Sequence, residues 1–185
     1  MEIKNICIFG TGGVGGFFGY KLAKLSEKTN NTKTFFIARG EHLLKIKNDG
    51  LILNTPDKKG SPVKPALATD NANEIPYIDL CFITVKSYDL ENACKSIKDK
   101  IKEQSVIISL LNGINIYNRI RDIIKNGIIL PACVYVGTHI ESAGIITQKG
   151  GEGKILFGTD PLHADFKPDK ITGLFDKADI KYQWF

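Results

Sequence analysis

The feature that most constrains this chain is a glycine-rich segment near its amino terminus. A short apolar run ends at Phe9 and is followed by glycines at Gly10, Gly12 and Gly15. The spacing G-x-G-x-x-G between a strand and a helix predicts a turn that holds a dinucleotide. The first glycine allows a sharp corner, the second lets a pyrophosphate approach the backbone, and the third lets the helix lie close on the strand. The loop residues predicted to bind the ligand are Gly10, Thr11, Gly12, Gly13, Val14 and Gly15.

Strand-like and helix-like segments alternate through most of the chain. The predicted strands span 3–9, 34–38, 51–53, 63–68, 79–85, 106–111 and 128–136, and amphipathic stretches between them predict helices, the first over 13–27. This alternation predicts a doubly wound α/β fold with a mostly parallel sheet. The rhythm then changes: strands at 140–147 and 154–157 predict an antiparallel hairpin whose turn is at 149–153. A helix opened by Pro168 and a closing strand at 180–185 complete one Rossmann-type domain over residues 1–185.

Composition excludes several classes of protein. A chain of 185 residues with 43% hydrophobic content can bury the core of one domain. It has no apolar run of the roughly 20 residues that a membrane span needs, and its start lacks a signal peptide, so we expect a cytoplasmic protein without membrane contact. The four cysteines show no C-x-x-C spacing and are expected to be buried free thiols. The net charge of +5 comes from scattered lysines, which does not favour nucleic-acid binding.

Polar side chains follow the predicted strands at the edge where ligands bind in such sheets. Arg39 lies 24 residues after Gly15, near the position where NAD-binding domains carry an acidic residue for the ribose 2′-hydroxyl. A cation there suits a 2′-phosphate and favours NADP over NAD, although Glu41 could be the acidic partner. Lys86 could meet phosphate, ribose or a substrate carboxylate, and Asn112 offers a donor and an acceptor beside the nicotinamide.

Other chemistries have little support in the sequence. His139 and His163 could act as general acids, but lone histidines are more often structural. The chain has no Ser-His-Asp order and no cluster with metal-ligand spacing, so neither hydrolysis nor a metal site is predicted.

At these residues the sequence resembles the ketopantoate reductase (2-dehydropantoate 2-reductase) family. The resemblance covers nearly the whole chain, and the ordered set of segments is more specific than the glycine motif alone. The matching segments are 9–16, 38–40, 84–86, 111–114, 137–140 and 150–158.

The resemblance implies an NADPH-dependent oxidoreductase that reduces ketopantoate to pantoate in pantothenate biosynthesis. It implies that Arg39 holds the 2′-phosphate and that Lys86 and Asn112 hold the nicotinamide end, with Asn112 also near the substrate. The turn from Thr138 to Glu141 would lie close to the cofactor, with Glu141 as a further ligand.

The family's catalytic lysine lies in a helical domain, which would follow Phe185, so no catalytic residue is expected in this chain. We therefore expect a cofactor domain from a longer two-domain enzyme that reduces nothing alone. A homodimer of the full-length protein is possible. A reductase of another 2-keto acid and a non-catalytic sensor of nicotinamide nucleotides stay open as alternatives.

Overall fold

The computed structural model describes residues 2–185 and contains two sheets and five α-helices. Three single-turn 3₁₀ segments connect some of these elements, at Ala72–Glu74, Ser87–Asp89 and Lys98–Lys100. In chain order the elements are β1 (Asn5–Phe9), α1 (Gly13–Thr29), β2 (Lys33–Ile37), α2 (Gly40–Asp49), β3 (Ile52–Asn54), β4 (Leu67–Thr69), β5 (Ile78–Ile83), α3 (Leu90–Ile97), β6 (Ile101–Ser109), α4 (Ile116–Ile123), β7 (Ile128–Leu130), β8 (Ala132–Ser142), β9 (Ile145–Phe157), α5 (Asp169–Lys177) and β10 (Tyr182–Trp184).

The first sheet has six strands in the order β4-β2-β1-β5-β6-β7, and every pairing in it is parallel. The chain starts in the middle with β1, builds outward through β2 and β4, and returns to the other side of β1 with β5. This reversal puts a topological switch point beside the carboxyl end of β1, where doubly wound sheets bind ligands. The predicted fold class is confirmed.

Both faces of the first sheet are buried, which explains why its strands have continuous apolar sequences. Along β1, Ile6 and Ile8 belong to the core on the α1 side, whereas Cys7 and Phe9 belong to the core beneath α3 and α4. Successive side chains of a strand point to opposite faces, so apolar residues that serve the two cores in turn form one continuous run.

The second sheet covers the α1 side of the first. In it β8 pairs antiparallel with β9, while β3 and β10 pair parallel with β9. Helix α5 lies between the two sheets, because the ring centroid of Phe175 is 6.0 Å from that of Phe82 in β5 and 5.8 Å from that of Phe157 in β9. Helix α1 also contacts both sheets, with Gly19 against Phe36 and Gly16 against Ile146.

An antiparallel hairpin, formed by β8 and β9, is present as predicted, but its strands and turn differ from the predicted ones, because the predicted strand 140–147 contains the actual turn. The turn lies at residues 143–144, where Gly144 has a φ of +79°. Residues 149–153 lie inside β9, and the register shifts around the pair Gly137 and Gly150. Gly151 and Gly153 have φ values of +75° and +65°. Glycines within a strand mark a bulge, which is what this cluster forms.

Two other predicted strands differ in the structure. Of the stretch 63–68 only its end forms a strand, β4, while Val63 makes an isolated antiparallel bridge with Leu51. The stretch 128–136 is divided at Pro131, where the chain leaves the first sheet and enters the second. Proline has no backbone N–H to donate to a ladder, so a change of sheet fits this position.

Three of the four cysteines are buried free thiols as expected, namely Cys7, Cys81 and Cys94. Burial raises the pKa of Cys94 to about 12 and makes a thiolate nucleophile there unfavourable. The expectation is wrong for Cys133, which is exposed because alternate residues of β8 point away from the core. Within residues 2–185, none of the helices combines the length and apolarity that a bilayer crossing requires.

Candidate functional site

A cavity of about 240 Å³ opens at the switch point, at the carboxyl ends of β2, β1 and β5. The glycine turn forms its floor, and the segments after β2 and β5 form its two walls. It is lined by Phe9, Gly10, Thr11, Gly12, Ile37, Ala38, Arg39, His42, Thr84, Val85, Lys86, Asp89 and Ile140. The structure therefore brings three separately predicted features together, the glycine turn, Arg39 and Lys86.

Backbone hydrogen bonds hold the glycine turn in shape. The N–H groups of Gly10 and Thr11 donate to the carbonyl of Ile37, at N···O distances of 3.0 and 3.2 Å. The Thr84 hydroxyl donates to the carbonyl of Gly10 at 2.7 Å. Gly10 has a φ of +96°, and a Cβ there would lie 2.9 Å from a methyl carbon of Val85. A side chain at Gly10 would therefore suffer both backbone strain and a collision.

The amino terminus of α1 faces this cavity without a side-chain cap. Gly12 is the N-cap residue, no side chain caps the helix, and the first turn contains no acidic residue. The first N–H groups of a helix have no intrahelical acceptor, and the helix dipole favours an anion beside them. A Cβ built on Gly12 would meet no atom within 4 Å. The space in front of this helix is open and suits a phosphate.

The glycines that follow in α1 allow close packing. A Cβ at Gly15 would overlap the Gly10 carbonyl oxygen and the Thr84 hydroxyl. A Cβ at Gly13 would lie 2.7 Å from the carbonyl oxygen of Thr138 in β8. Helix α1 therefore contacts the turn below it and the second sheet above it, which is the close approach that the sequence predicted. Val14 is only half-buried and packs against the core on the α1 side.

Charged side chains stand on both walls of the cavity. Arg39 precedes α2 and is largely exposed, with its Nη1 3.7 Å from Oδ2 of Asp89 on the opposite wall. Lys86 is exposed and precedes the 3₁₀ turn Ser87–Asp89. Arg39 and Lys86 supply the positive charge that attracts a phosphate-bearing ligand.

His42 is a cavity residue that the sequence analysis missed. Its Nδ1 accepts a hydrogen bond of 3.0 Å from the backbone N–H of Gly144 at the β8–β9 turn. The ring proton therefore lies on Nε2, which donates to the carbonyl of Thr11 at 2.8 Å. Burial lowers the pKa of His42, although the hydrogen bond to Thr11 opposes the shift. A neutral His42 thus joins the glycine turn to the second sheet.

Arg119 is a second residue without a signal in the sequence, and it fixes the segment that carries Lys86. Its guanidinium donates to both carboxylate oxygens of Glu91, at 2.7 and 3.0 Å, and to the carbonyl of Ser87 at 2.6 Å. Hydrogen bonding from Arg119 lowers the pKa of Glu91. Arg119 lies on α4, so this clamp joins the segment after β5 to the helix that follows Asn112.

The remaining predicted residues lie outside the cavity. Asn112 is exposed in the connection between β6 and α4, one strand beyond β5. Ile140 lines the cavity, but its neighbour Glu141 accepts hydrogen bonds from Asn54 at 3.4 Å and from Thr147. The bond from Thr147 is the main reason that the pKa of Glu141 is lowered. Adjacent strand residues point in opposite directions, which explains this difference between Ile140 and Glu141.

The two histidines considered as acids also lie elsewhere. His163 contacts Oδ2 of the buried Asp160 at 2.8 Å, which is a structural contact. His139 pairs with Thr147 in the second sheet and does not line the cavity. Among residues 2–185 no group of His, Cys, Asp and Glu side chains could hold a metal ion.

A parallel sheet with an open glycine turn at its switch point defines the doubly wound α/β class of ligand-binding domains. Residues 6–161 match the family described as ketopantoate reductase PanE/ApbA, and the chain belongs to this family of oxidoreductases. The predicted membership of this family is confirmed.

Similar proteins include the uncharacterized oxidoreductase YkpB of Bacillus subtilis, which is 28% identical over 151 residues, 82% of this chain and 47% of that protein. The 2-dehydropantoate 2-reductase of Pyrococcus horikoshii is 25% identical over 177 residues, 96% of this chain and 54% of that protein. The chain therefore spans about half the length of the curated relatives that it matches.

Solved structures show the same fold. The 2-dehydropantoate 2-reductase of Porphyromonas gingivalis W83 superposes with a TM-score of 0.86 at 29% identity, over 99% of this chain and 64% of that one. A ternary structure of D-mandelate dehydrogenase with NADH and anilino(oxo)acetate has a TM-score of 0.80 at 21% identity, over 98% of this chain and 56% of that one. The second likeness concerns the fold alone.

Proposed function

We propose that this chain supplies the NADPH-binding part of an enzyme that reduces 2-dehydropantoate to pantoate. The family match and the names of its relatives support the class of reaction. The observation that carries the proposal is the cavity itself, where an uncapped helix amino terminus, Arg39 and Lys86 meet. Those three features fit a ligand with a pyrophosphate and a further phosphate.

The residues of this cavity have the chemistry that a dinucleotide requires. The open space in front of Gly12 gives a pyrophosphate access to the backbone of the turn. The guanidinium of Arg39 can bind a 2′-phosphate through two parallel hydrogen bonds. We assign the ribose 2′-phosphate to this side of the cavity, because Arg39 follows β2, the strand next to β1.

At the other end of the ligand we assign binding roles to Lys86 and Asn112. The cofactor, when bound, would supply a hydride to the keto carbon of the substrate. Lys86 precedes Ser87, whose carbonyl accepts a hydrogen bond from Arg119, and its exposed ammonium can attract a carboxylate or phosphate. The exposed amide of Asn112 has both a donor and an acceptor for the nicotinamide or the substrate. Glu141 keeps its assignment as a cofactor contact, because Asn54 and Thr147 both donate to its Oε2 and a ligand can approach its Oε1.

A direct titration tests the proposed cofactor. The purified chain is titrated with NADPH and with NADH, and binding is followed by nicotinamide fluorescence. We expect both nucleotides to bind, with NADPH the tighter. A bulky residue at Gly12 should abolish both signals. If neither nucleotide binds to the wild-type chain, the proposal is wrong.

The resemblance assigns the proton-donating lysine to a part of the enzyme beyond Phe185. We therefore propose that the chain of 185 residues binds NADPH but does not reduce ketopantoate. The measurement is loss of NADPH absorbance after addition of ketopantoate. Measurable turnover would show that the residues needed for proton transfer lie within this chain.

A further inference from the structure

We infer that Asp89 is a second residue that determines cofactor specificity, acting opposite Arg39 across the cavity. Arg39 favours a ligand with a 2′-phosphate, and Asp89 favours a ligand with a free 2′-hydroxyl. The site would then accept both nucleotides, with a preference set by the balance of the two side chains. This inference rests on the proposed function, because it assumes that a nicotinamide dinucleotide occupies the cavity.

The first support is the position of the two side chains. Arg39 follows β2 and Asp89 follows β5, which are the two strands on either side of β1. Both residues line the same cavity, with 3.7 Å between Nη1 of Arg39 and Oδ2 of Asp89. The pair therefore spans the space above the glycine turn.

The second support is that the carboxylate of Asp89 has no evident structural task. Asp89 occupies the N-cap position of α3, yet its side chain makes no capping hydrogen bond. Its side chain is partly exposed, and within residues 2–185 its ion-pair partner is Arg39. At 3.7 Å this pair is longer than a hydrogen bond, so the donors of Arg39 stay available to a ligand.

The chemistry of the pair gives the two ligands opposite responses. A phosphate group bound by Arg39 would lie close to a carboxylate of the same charge, which weakens its binding. A free hydroxyl carries no charge and can donate a hydrogen bond to that carboxylate. Asp89 therefore weakens binding of the ligand with a 2′-phosphate and strengthens binding of the ligand with a free 2′-hydroxyl.

Glu41 does not fill this role in the structure. It follows Arg39 by two residues and was the acidic candidate in the sequence. Its side chain is exposed in the first turn of α2 and does not line the cavity. The acidic group that faces Arg39 comes instead from the segment after β5.

The test compares Asp89→Asn with the wild type, and Glu41→Gln serves as the matched control. The probes are ADP-ribose and 2′-phospho-ADP-ribose, which differ only in the 2′-phosphate, and binding is measured by titration calorimetry. We expect Asp89→Asn to tighten binding of the phosphorylated probe about threefold, as for an exposed charge pair. We expect it to weaken ADP-ribose binding about threefold, because the amide oxygen of Asn accepts a weaker hydrogen bond from the 2′-hydroxyl than the charged carboxylate does.

These opposite movements separate specificity from a structural effect, because a distorted cavity would weaken both probes. Asp89→Ser should move the preference in the same direction, and Glu41→Gln should move it in neither. If Asp89→Asn shifts both dissociation constants equally, or neither, the inference is wrong while the proposed function stands. If the wild type binds neither probe, the proposed function fails together with the inference.

Discussion

The guanidinium of Arg39 is two-thirds exposed at the end of β2, so it can be removed without disturbing the core. We expect Arg39→Ala to weaken NADPH binding by about 10- to 100-fold, because hydrogen bonds to a charged group contribute roughly 1.5–3 kcal/mol. The affinity for NADH, which lacks the 2′-phosphate, should fall much less. Fluorescence titrations measure both constants, with Lys47→Ala on the exposed face of α2 as the control. An equal loss for both nucleotides would show that Arg39 does not bind the 2′-phosphate.

The histidine at the cavity wall gives a second prediction, in stability. Burial lowers the pKa of His42, so the folded chain binds fewer protons there than the unfolded chain. Neutral His42 therefore stabilises the folded chain. This contribution to the free energy of unfolding is fully present above the unfolded pKa of about 6.5 and is lost as pH falls through the lower folded pKa. Protonation at Nδ1 would break the bond from Gly144, which is worth about 1 kcal/mol.

Urea unfolding at pH 7.5 and pH 5 tests this prediction. The free energy of unfolding should fall more between these pH values for the wild type than for His42→Gln, which cannot titrate. Parallel pH profiles for the two proteins would contradict a neutral His42 in the folded state.

Single residues at strand ends were predictable where the pattern of apolar residues in the sequence showed where a strand ends. Arg39 and Lys86 directly follow apolar strands, and parallel strands end at one edge of the sheet. His42 was not predictable in this way, because its partners Thr11 and Gly144 are 31 and 102 residues away in the sequence. The position of Asp89 opposite Arg39 was not predictable either, because this contact depends on the order of the strands in the sheet.

At the scale of elements, a side chain added at Gly12 and one added at Gly15, at the start of α1, should have different effects. The first should affect nucleotide binding and the second should affect stability. A Cβ at Gly12 meets open space, and its φ of −72° suits any residue, so Gly12→Val should fold normally and lose nucleotide binding. A Cβ at Gly15 meets the Gly10 carbonyl and Thr84. Gly15→Ala should therefore lose about 1–3 kcal/mol of stability despite the better helix propensity of alanine.

Thermal unfolding and nucleotide titration together distinguish the two variants. The prediction for Gly12 fails if Gly12→Val still binds NADPH with the affinity of the wild type. The prediction for Gly15 fails if Gly15→Ala unfolds at the temperature of the wild type or above it.

Elements whose apolar residues recur at a regular spacing were predicted well. Elements whose bounds depend on which strands pair were not. The amphipathic stretch 13–27 predicted α1, and its apolar residues Phe18, Leu22 and Leu25 are buried in the structure. The β8–β9 turn was misplaced, because a cluster of glycines marks both turns and bulges. The choice between them depends on which residues face the cluster across the hairpin, and that register is not written in the local sequence.

At the scale of the whole molecule, the buried carboxylate of Asp160 joins the end of β9 to α4 and β7. Burial alone would raise the pKa of Asp160, but the hydrogen bonds that it accepts outweigh this effect and lower the pKa. The donors are the Tyr117 hydroxyl (2.6 Å), Arg121 Nη2 (2.7 Å), His163 Nδ1 (2.8 Å) and the backbone N–H groups of Ile129 (2.9 Å) and Leu162 (3.0 Å). This group connects the last strand of the first sheet to the second sheet.

Replacing Asp160 with Asn should therefore destabilise the molecule without changing its site. The variant leaves the largely buried Arg121 without its counter-charge, and breaking a buried ion pair costs about 3–5 kcal/mol. Because the pKa of Asp160 is lowered in the folded protein, the wild type should stay more stable than the variant until the pH falls below about 4.

Urea unfolding measures the loss of stability in Asp160→Asn, and Asp165→Asn, at an exposed position nearby, is the control. Asp160 does not line the glycine cavity, so NADPH affinity at low temperature should be unchanged. A loss of affinity as large as the loss of stability would mean that the contact between the sheets shapes the cavity directly.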